Sequence, residues 1–251
     1  MSYRGYDHLR EDFDSLARES GEYAPICQEV KDLPESFDPR GWLRIENQGS
    51  WPSCGGHALS SVMEVVNYFA TGGSVIQLSR MFAWVESQRI YGTPSPRDGI
   101  TIDAAVKVSK KLGLPLEETV PYQVGDWKAD YDESVYMEAS KYRTLHSYAM
   151  KSYEDCLDFL RGGIGAIIIG IPWQFKRSAW HAVAYCGFLK DGTLLGPNSW
   201  GEDWGNDKGW FEHDKKTVER YLGTSGVVMF GISDMAAPKV RPYPWQERFF
   251  G

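Results

Sequence analysis

Leu9, Phe13 and Leu16 stand on one helical stripe within an otherwise charged segment, DHLREDFDSLARE (7–19), which predicts a short amphipathic helix. Residues 20–41 carry Pro, Gly and Glu without a period and read as an extended connector. Ala58, Leu59, Val62, Val65, Val66 and Phe69 then repeat at helical spacing, and Gly72-Gly73 supplies a stop. The entrance to this long helix is Pro52-Ser53-Cys54-Gly55-Gly56. Pro suits a helix entrance and Ser suits its cap, but two glycines in the first turn cost about 1 kcal/mol each relative to Ala. Such a cost points to close backbone approach there. A second helix is expected over about 101–112, stopped by Gly113 and Pro115, and a third over about 152–161. Ser152 and Asp155 form a capping box for the third, and Gly162-Gly163 ends it.

From residue 164 the pattern changes to β. Ile164–Ile171 is an apolar run bounded by glycine and Pro172, as a buried strand would be. His181–Phe188 and Thr193–Leu195 read as strands joined by an Asp191-Gly192 turn. Gly209–Glu212 and Gly226–Ile232 add two more, and 236–251 carries three prolines and four aromatics, so an extended tail is expected. Helices in the first half and antiparallel strands in the second indicate an α+β chain with two lobes. The division is 1–32 (helix and connector), 33–235 (the globular part, with a helical lobe at about 42–122 and a β-rich lobe at about 123–235) and 236–251 (the tail).

Composition narrows the partners. The chain has 251 residues, 42% hydrophobic and 24% charged, which is the globular range. A net charge of −7 disfavours nucleic acid and anionic membrane. No apolar run approaches the ~20 residues of a membrane span, and the first ten residues have no signal-peptide core. A cytoplasmic protein is therefore expected. Cys27, Cys54, Cys156 and Cys186 are widely spaced and are expected to be thiols. Cys54-x-x-His57 has no second half that would complete a zinc site, so neither metal nor organic cofactor is expected.

The candidate chemistry centres on Cys54. A thiol at a helix N-terminus meets unpaired N–H groups and the positive end of the dipole, both of which favour thiolate. A lone cysteine is more often a small buried hydrophobe, so its company decides. Gln48, six residues upstream, carries a side-chain N–H that could stabilise an oxyanion together with the Cys54 N–H. His181 opens a strand whose alternation puts His181, Val183 and Tyr185 on one face and Ala182, Ala184 and Cys186 on the other. A histidine there can serve as base to a thiol across a cleft; the plain alternative is a hydrogen-bonded core histidine. Asn198, one hairpin later, can orient that imidazole, and Trp200 can cover the bond between them.

These blocks together resemble the papain-like (C1-type) cysteine peptidases, from about Leu33 to Ile232. NQGSWPSC (47–54) is similar to the glutamine-and-cysteine block, Trp180-His181-Ala182-Val183 to the histidine block, and PNSWGEDWGNDKGWF (197–211) to the asparagine block. Gln77-Leu78-Ser79 resembles the segment that follows the central helix, and Asp98-Gly99 to Ala105 with Pro121-Tyr122 resembles the stretch lining the substrate cleft. The resemblance implies a papain-like two-lobe fold, with a helical left lobe carrying Cys54 and a β-barrel-like right lobe carrying His181 and Asn198. The cleft would lie between them. It implies Gln48 in the oxyanion hole, and Asp98, Gly99, Trp180, Ala182, Trp200 and Trp204 as substrate-binding residues. The departures are Gly55 where the family usually has Trp, Trp51 in place of a bridging cysteine, Asp98 in place of a glycine, a shortened link before His181, and no long propeptide. They suggest a bacterial- or phage-like member without secretory signal, cytoplasmic or, if phage-encoded, virion-associated.

The expected activity is hydrolysis of peptide or protein substrates through a thioester. Two other readings remain open here: a papain-fold amidase or transpeptidase, and a structural domain docked into a larger assembly through the N-terminal helix or the C-terminal tail. The short link (172–180) is expected to open the cleft, with Trp173, Phe175 and Trp180 at its edge. Asp98 is expected to favour a basic or polar substrate side chain.

Overall fold

A computed structural model describes residues 33–123, 126–128, 130–176 and 179–235. The expected N-terminal helix (7–19), most of the connector and the 236–251 tail lie outside the described residues, as does Cys27.

Helix α1 (Cys54–Thr71) begins at the cysteine, as its pattern requires, and Gly72 closes it in the left-handed conformation. It is buried almost all round because the helical lobe covers one side and the sheet covers the other. Ser53 stands at its N-cap position but makes no side-chain cap bond; its hydroxyl is used elsewhere. The two glycines of the first turn are spaces for neighbours. A Cβ on Gly55 would lie 2.4 Å from Ile100 Cγ1, and one on Gly56 2.7 Å from the Arg80 carbonyl oxygen and 2.8 Å from Trp84 Cβ.

Helix α2 (Arg80–Arg89) is what presses on Gly56. The sequence pattern did not indicate it, because Arg80 to Ser87 are all buried and no polar face marks a period. Ser79 caps it, accepting from Phe82 N at 3.0 Å. Helix α3 (Ile102–Lys111) is capped by Thr101 within the expected span. Helix α4 (Glu133–Ala139) was not expected. Helix α5 (Tyr153–Arg161) carries the Ser152–Asp155 capping box in full. Helix α6 (Lys215–Leu222) is capped by Asp214 and was also unforeseen.

The strands are β1 (Thr144–Ala149), β2 (Gly165–Pro172), β3 (Trp180–Tyr185), β4 (Gly187–Phe188), β5 (Leu194–Pro197), β6 (Trp210–His213) and β7 (Val228–Met235). They form a four-stranded sheet in the order β1-β7-β2-β3 and a three-stranded sheet β4-β5-β6, every pairing antiparallel. Among the described residues the two sheets do not join into one closed barrel. The single strand expected over His181–Phe188 is divided at Cys186, whose N–H leaves the β2 ladder and donates to Leu195 O at 2.8 Å. The chain changes sheets at that residue.

Two apolar clusters correspond to the two faces of β2 and β3. Ala182, Ala184 and Cys186 join the α1 cluster, while Val183 and Tyr185 join the cluster under α5 and α6. Among the described residues no helix is long and apolar enough to cross a membrane.

Candidate active site

The antiparallel path β3–β4–turn–β5 returns the chain to the level at which β3 began. His181, near the start of β3, thereby meets Asn198, just past the end of β5. His181 Nε2 and Asn198 Oδ1 are 2.8 Å apart. Ser199 N also donates to that oxygen at 2.8 Å, so the amide is oriented with its oxygen towards both. The imidazole proton therefore sits on Nε2 in the neutral ring, and Nδ1 is left outside that bond. Both residues are nearly inaccessible, at 5% and 2% exposure.

Aromatic rings enclose the pair. Trp200 stacks on His181 with centroids 4.6 Å apart and an interplanar angle of 23°. Trp173 meets the imidazole edge-on at 5.2 Å and also contacts Trp200 and Trp204. Such contacts add about 0.5–1.5 kcal/mol each beyond area burial. Burial pushes the His181 imidazole down to about 4, against the opposing pull of the Asn198 bond.

Trp173 is held by a tight loop in which Gln174 and Phe175 both have positive φ (51° and 59°). Trp173 N donates to Ala179 O at 2.8 Å and closes that loop. Phe175 stacks on Tyr221 of α6 at 4.3 Å, beneath the Arg220 guanidinium, so it faces α6 instead of the cleft edge expected of it. Trp173 likewise belongs to the enclosure around His181. Trp180 is half-buried with its ring over Gly226.

On the other side, Cys54 is the first residue of α1 and is 7% exposed. Its Sγ accepts from Ala182 N, the residue after His181, at 3.5 Å. The thiol therefore lies across the interface from the histidine strand. Gln48 is held at several atoms. Its backbone N donates to Ser199 O at 2.8 Å, and its Oε1 accepts from Ser199 Oγ at 2.6 Å. Its Nε2 donates one hydrogen to Trp51 O at 2.6 Å, leaving the second amide hydrogen outside that bond. Tyr122 Oη donates to the Gln48 carbonyl at 3.0 Å and lies 2.6 Å from Ser53 Oγ.

Charge anchors this side from behind. Arg80, 1% exposed, lies 3.0 Å from Glu64, 3.2 Å from Glu46 and 3.6 Å from Glu117. Glu117 also accepts from Tyr122 N at 2.6 Å. Burial pushes Glu64 up to about 7, opposed chiefly by Arg80. His57, three residues after Cys54, points inward. Its Nδ1 is 3.0 Å from Ser53 O, its ring packs edge-on against Tyr122 at 4.6 Å, and burial pushes it down to about 3. Among the described residues no group of His, Cys, Asp and Glu is arranged to hold a metal.

Of the sequence candidates, Cys54, His181, Asn198, Gln48, Ala182 and Trp200 come together. Trp204 stands one ring further out, 5.3 Å from Trp200. Asp98 and Gly99 lie in the loop between α2 and α3, the Asp98 carbonyl accepting from Trp84 Nε1 at 3.1 Å and Gln88 Nε2 at 2.6 Å. The sequence places Trp173 at the cleft edge and Tyr122 in a cleft-lining stretch, but neither the ring contact of Trp173 with His181 nor the bond from Tyr122 to Gln48 is expected from it, and Ser199 is not singled out. Ser199 was legible as the neighbour of Asn198, whereas nothing local to Tyr122 announces its partner 74 residues away.

Comparison with known proteins bears on the family and the fold. The chain is 26% identical over 240 residues to cysteine proteinase 1 of Zea mays, covering 81% of this chain and 63% of the relative's length. Its fold resembles xylellain, a cysteine protease from Xylella fastidiosa (TM-score 0.71, 19% identity, 86% of this chain and 92% of that one). It also resembles the Carica candamarcensis cysteine protease CMS1MS2, solved in complex with E-64 (TM-score 0.59, 21% identity, 79% and 98%). The sequence model described as papain family cysteine protease matches residues 33–230, and the chain belongs to that family.

Proposed function

We propose that this chain is a thiol peptidase acting on peptide or protein substrates through Cys54, His181 and Asn198. His181 Nδ1 takes the proton of the Cys54 thiol, Cys54 Sγ attacks the carbonyl carbon, and the oxygen becomes an oxyanion held by the Cys54 N–H and the Gln48 side-chain N–H. His181 gives its proton to the leaving amine as the C–N bond breaks, which leaves a thioester on Cys54. Water, losing its proton to His181, attacks the thioester and releases the acid. Asn198 holds the imidazole and performs no bond chemistry.

The observation that carries the reading is the 2.8 Å His181–Asn198 bond beside a thiol whose sulfur accepts from the N–H of the next residue, Ala182. A buried imidazolium is costly, and a thiolate beside it is the group that offsets that cost. The test is hydrolysis of a fluorogenic peptide amide, with Cys54→Ala as control and mass-spectrometric mapping of a substoichiometric iodoacetamide adduct. Turnover lost in Cys54→Ala and label on Cys54 support the proposal. Turnover that survives Cys54→Ala sinks it.

A further inference from the structure

The turn 48–54 carries both groups that would hold the oxyanion, the Gln48 side chain at one end and the Cys54 N–H at the other. Between them lie Gly49 at φ +61° and an uncapped helix entrance at Ser53. The turn's internal bond is long, 3.4 Å from Trp51 N to Gln48 O. A second strap crosses it from outside. Tyr122 Oη donates to Gln48 O and is bonded to Ser53 Oγ. A phenol has one proton; with that proton given to the carbonyl, the Ser53 hydroxyl must donate to the phenol oxygen. One oxygen thus fixes the spacing between the residue that carries the amide donor and the residue that precedes the nucleophile.

The strap is itself anchored. Tyr122 N donates to Glu117 Oε1, Glu117 Oε2 accepts from Arg80 N at 3.1 Å, and the ring is braced against His57. Ser53 is fully buried, so little water competes for these bonds. We infer that Tyr122 is a positioning residue for the oxyanion hole, acting through Gln48. The inference rests on the proposed role of Gln48.

Tyr122→Phe removes one oxygen and keeps the ring. The expected result is a fall in kcat of about ten-fold with KM little changed, the scale of one lost buried hydrogen bond. The affinity for a peptide aldehyde, whose adduct with the thiol carries the same oxygen, should fall in parallel. Iodoacetamide alkylation of Cys54 builds no oxyanion, and its rate should stay within two-fold of the parent. In a Gln48→Ala background the same substitution should cost almost nothing further. Ser53→Ala, which removes the other arm, should reproduce the pattern more weakly. An additive loss in the Gln48→Ala background overturns the inference, as does an equal fall in alkylation. If Gln48→Ala slows turnover and Tyr122→Phe does not, the strap alone is wrong. If Gln48→Ala has no effect, the oxyanion role fails and the strap falls with it.

Discussion

The two sides of the cleft hold their reactive groups by different physics. Cys54 and Gln48 sit on a polar scaffold, with Tyr122 and Ser53 hydrogen-bonded across the turn and the Arg80–Glu64–Glu46–Glu117 cluster behind them. His181 and Asn198 share one short hydrogen bond inside a cage of Trp173, Trp200 and, further out, Trp204. In the proposed mechanism the donor side needs directional control, because an oxyanion is recognised by hydrogen bonds of set geometry. The histidine side needs water kept off a single bond, which rings accomplish by bulk and contact.

The sharpest way to break the comparison is at the groups themselves. His181→Ala should reduce kcat by about 10⁴-fold, and Asn198→Ala by clearly less, since it orients but transfers nothing. If Asn198→Ala equals His181→Ala in steady-state turnover, the orienting role is too modest a description. Gln48→Ala follows at about 10²-fold, read in kcat. A loss confined to KM would move Gln48 from the oxyanion to substrate binding.

The scaffolds should fail differently. Arg80→Leu strands Glu64 in the core and should destabilise the fold by about 3–5 kcal/mol, measured by denaturant unfolding. Acid offers a finer probe. The folded-state value of His57 is depressed by burial, to about 3, whereas the unfolded chain takes up that proton near 6.5. Its contribution is therefore full above about pH 6.5 and is lost as the pH falls towards 3. The slope of Tm between pH 6.5 and 4 should be shallower in His57→Gln. An unchanged slope would remove His57 from the account.

The smallest effect is a contrast among thiols. Cys156 and Cys186 are fully buried in opposite apolar clusters, and burial raises both well above the ordinary thiol range. Native-state labelling should reach Cys54 and leave these two untouched. Equal labelling of the three would contradict the assignment of Cys54.

What was legible in the sequence follows the same division. Periodic, capped or glycine-stopped segments such as α1, α3 and α5 were read with nearly their observed bounds. Helix α2 was not, because burial on all sides erases the polar face that marks a surface helix. Helix α6 buries only Val218 and Tyr221, too few to set a period, although Asp214 and Gly223 mark its ends. Strand β1 exposes Leu145 and buries Thr144 and Ser147, the reverse of the usual code. In the candidate site, Cys54, Gln48, His181 and Asn198 were singled out by residue type and spacing, and the fold brings them together. The Tyr122 strap and the Trp173 contact depend on tertiary neighbours far along the chain, and no local pattern encodes them.

The glycines at the head of α1 have a consequence for anyone seeking a sturdier version of this protein. Exchanging a helical glycine for alanine is a standard way to gain stability, because it restricts the unfolded chain. At Gly55 and Gly56 that route is closed, since the added methyl would strike the Ile100 side chain or the Arg80 carbonyl. The turn of helix that carries the proposed nucleophile is thus kept below its attainable local stability by the neighbours packed against it. Engineering would have to recover that loss elsewhere, for instance at caps and loops remote from the cleft, leaving the seat of the thiol as it is.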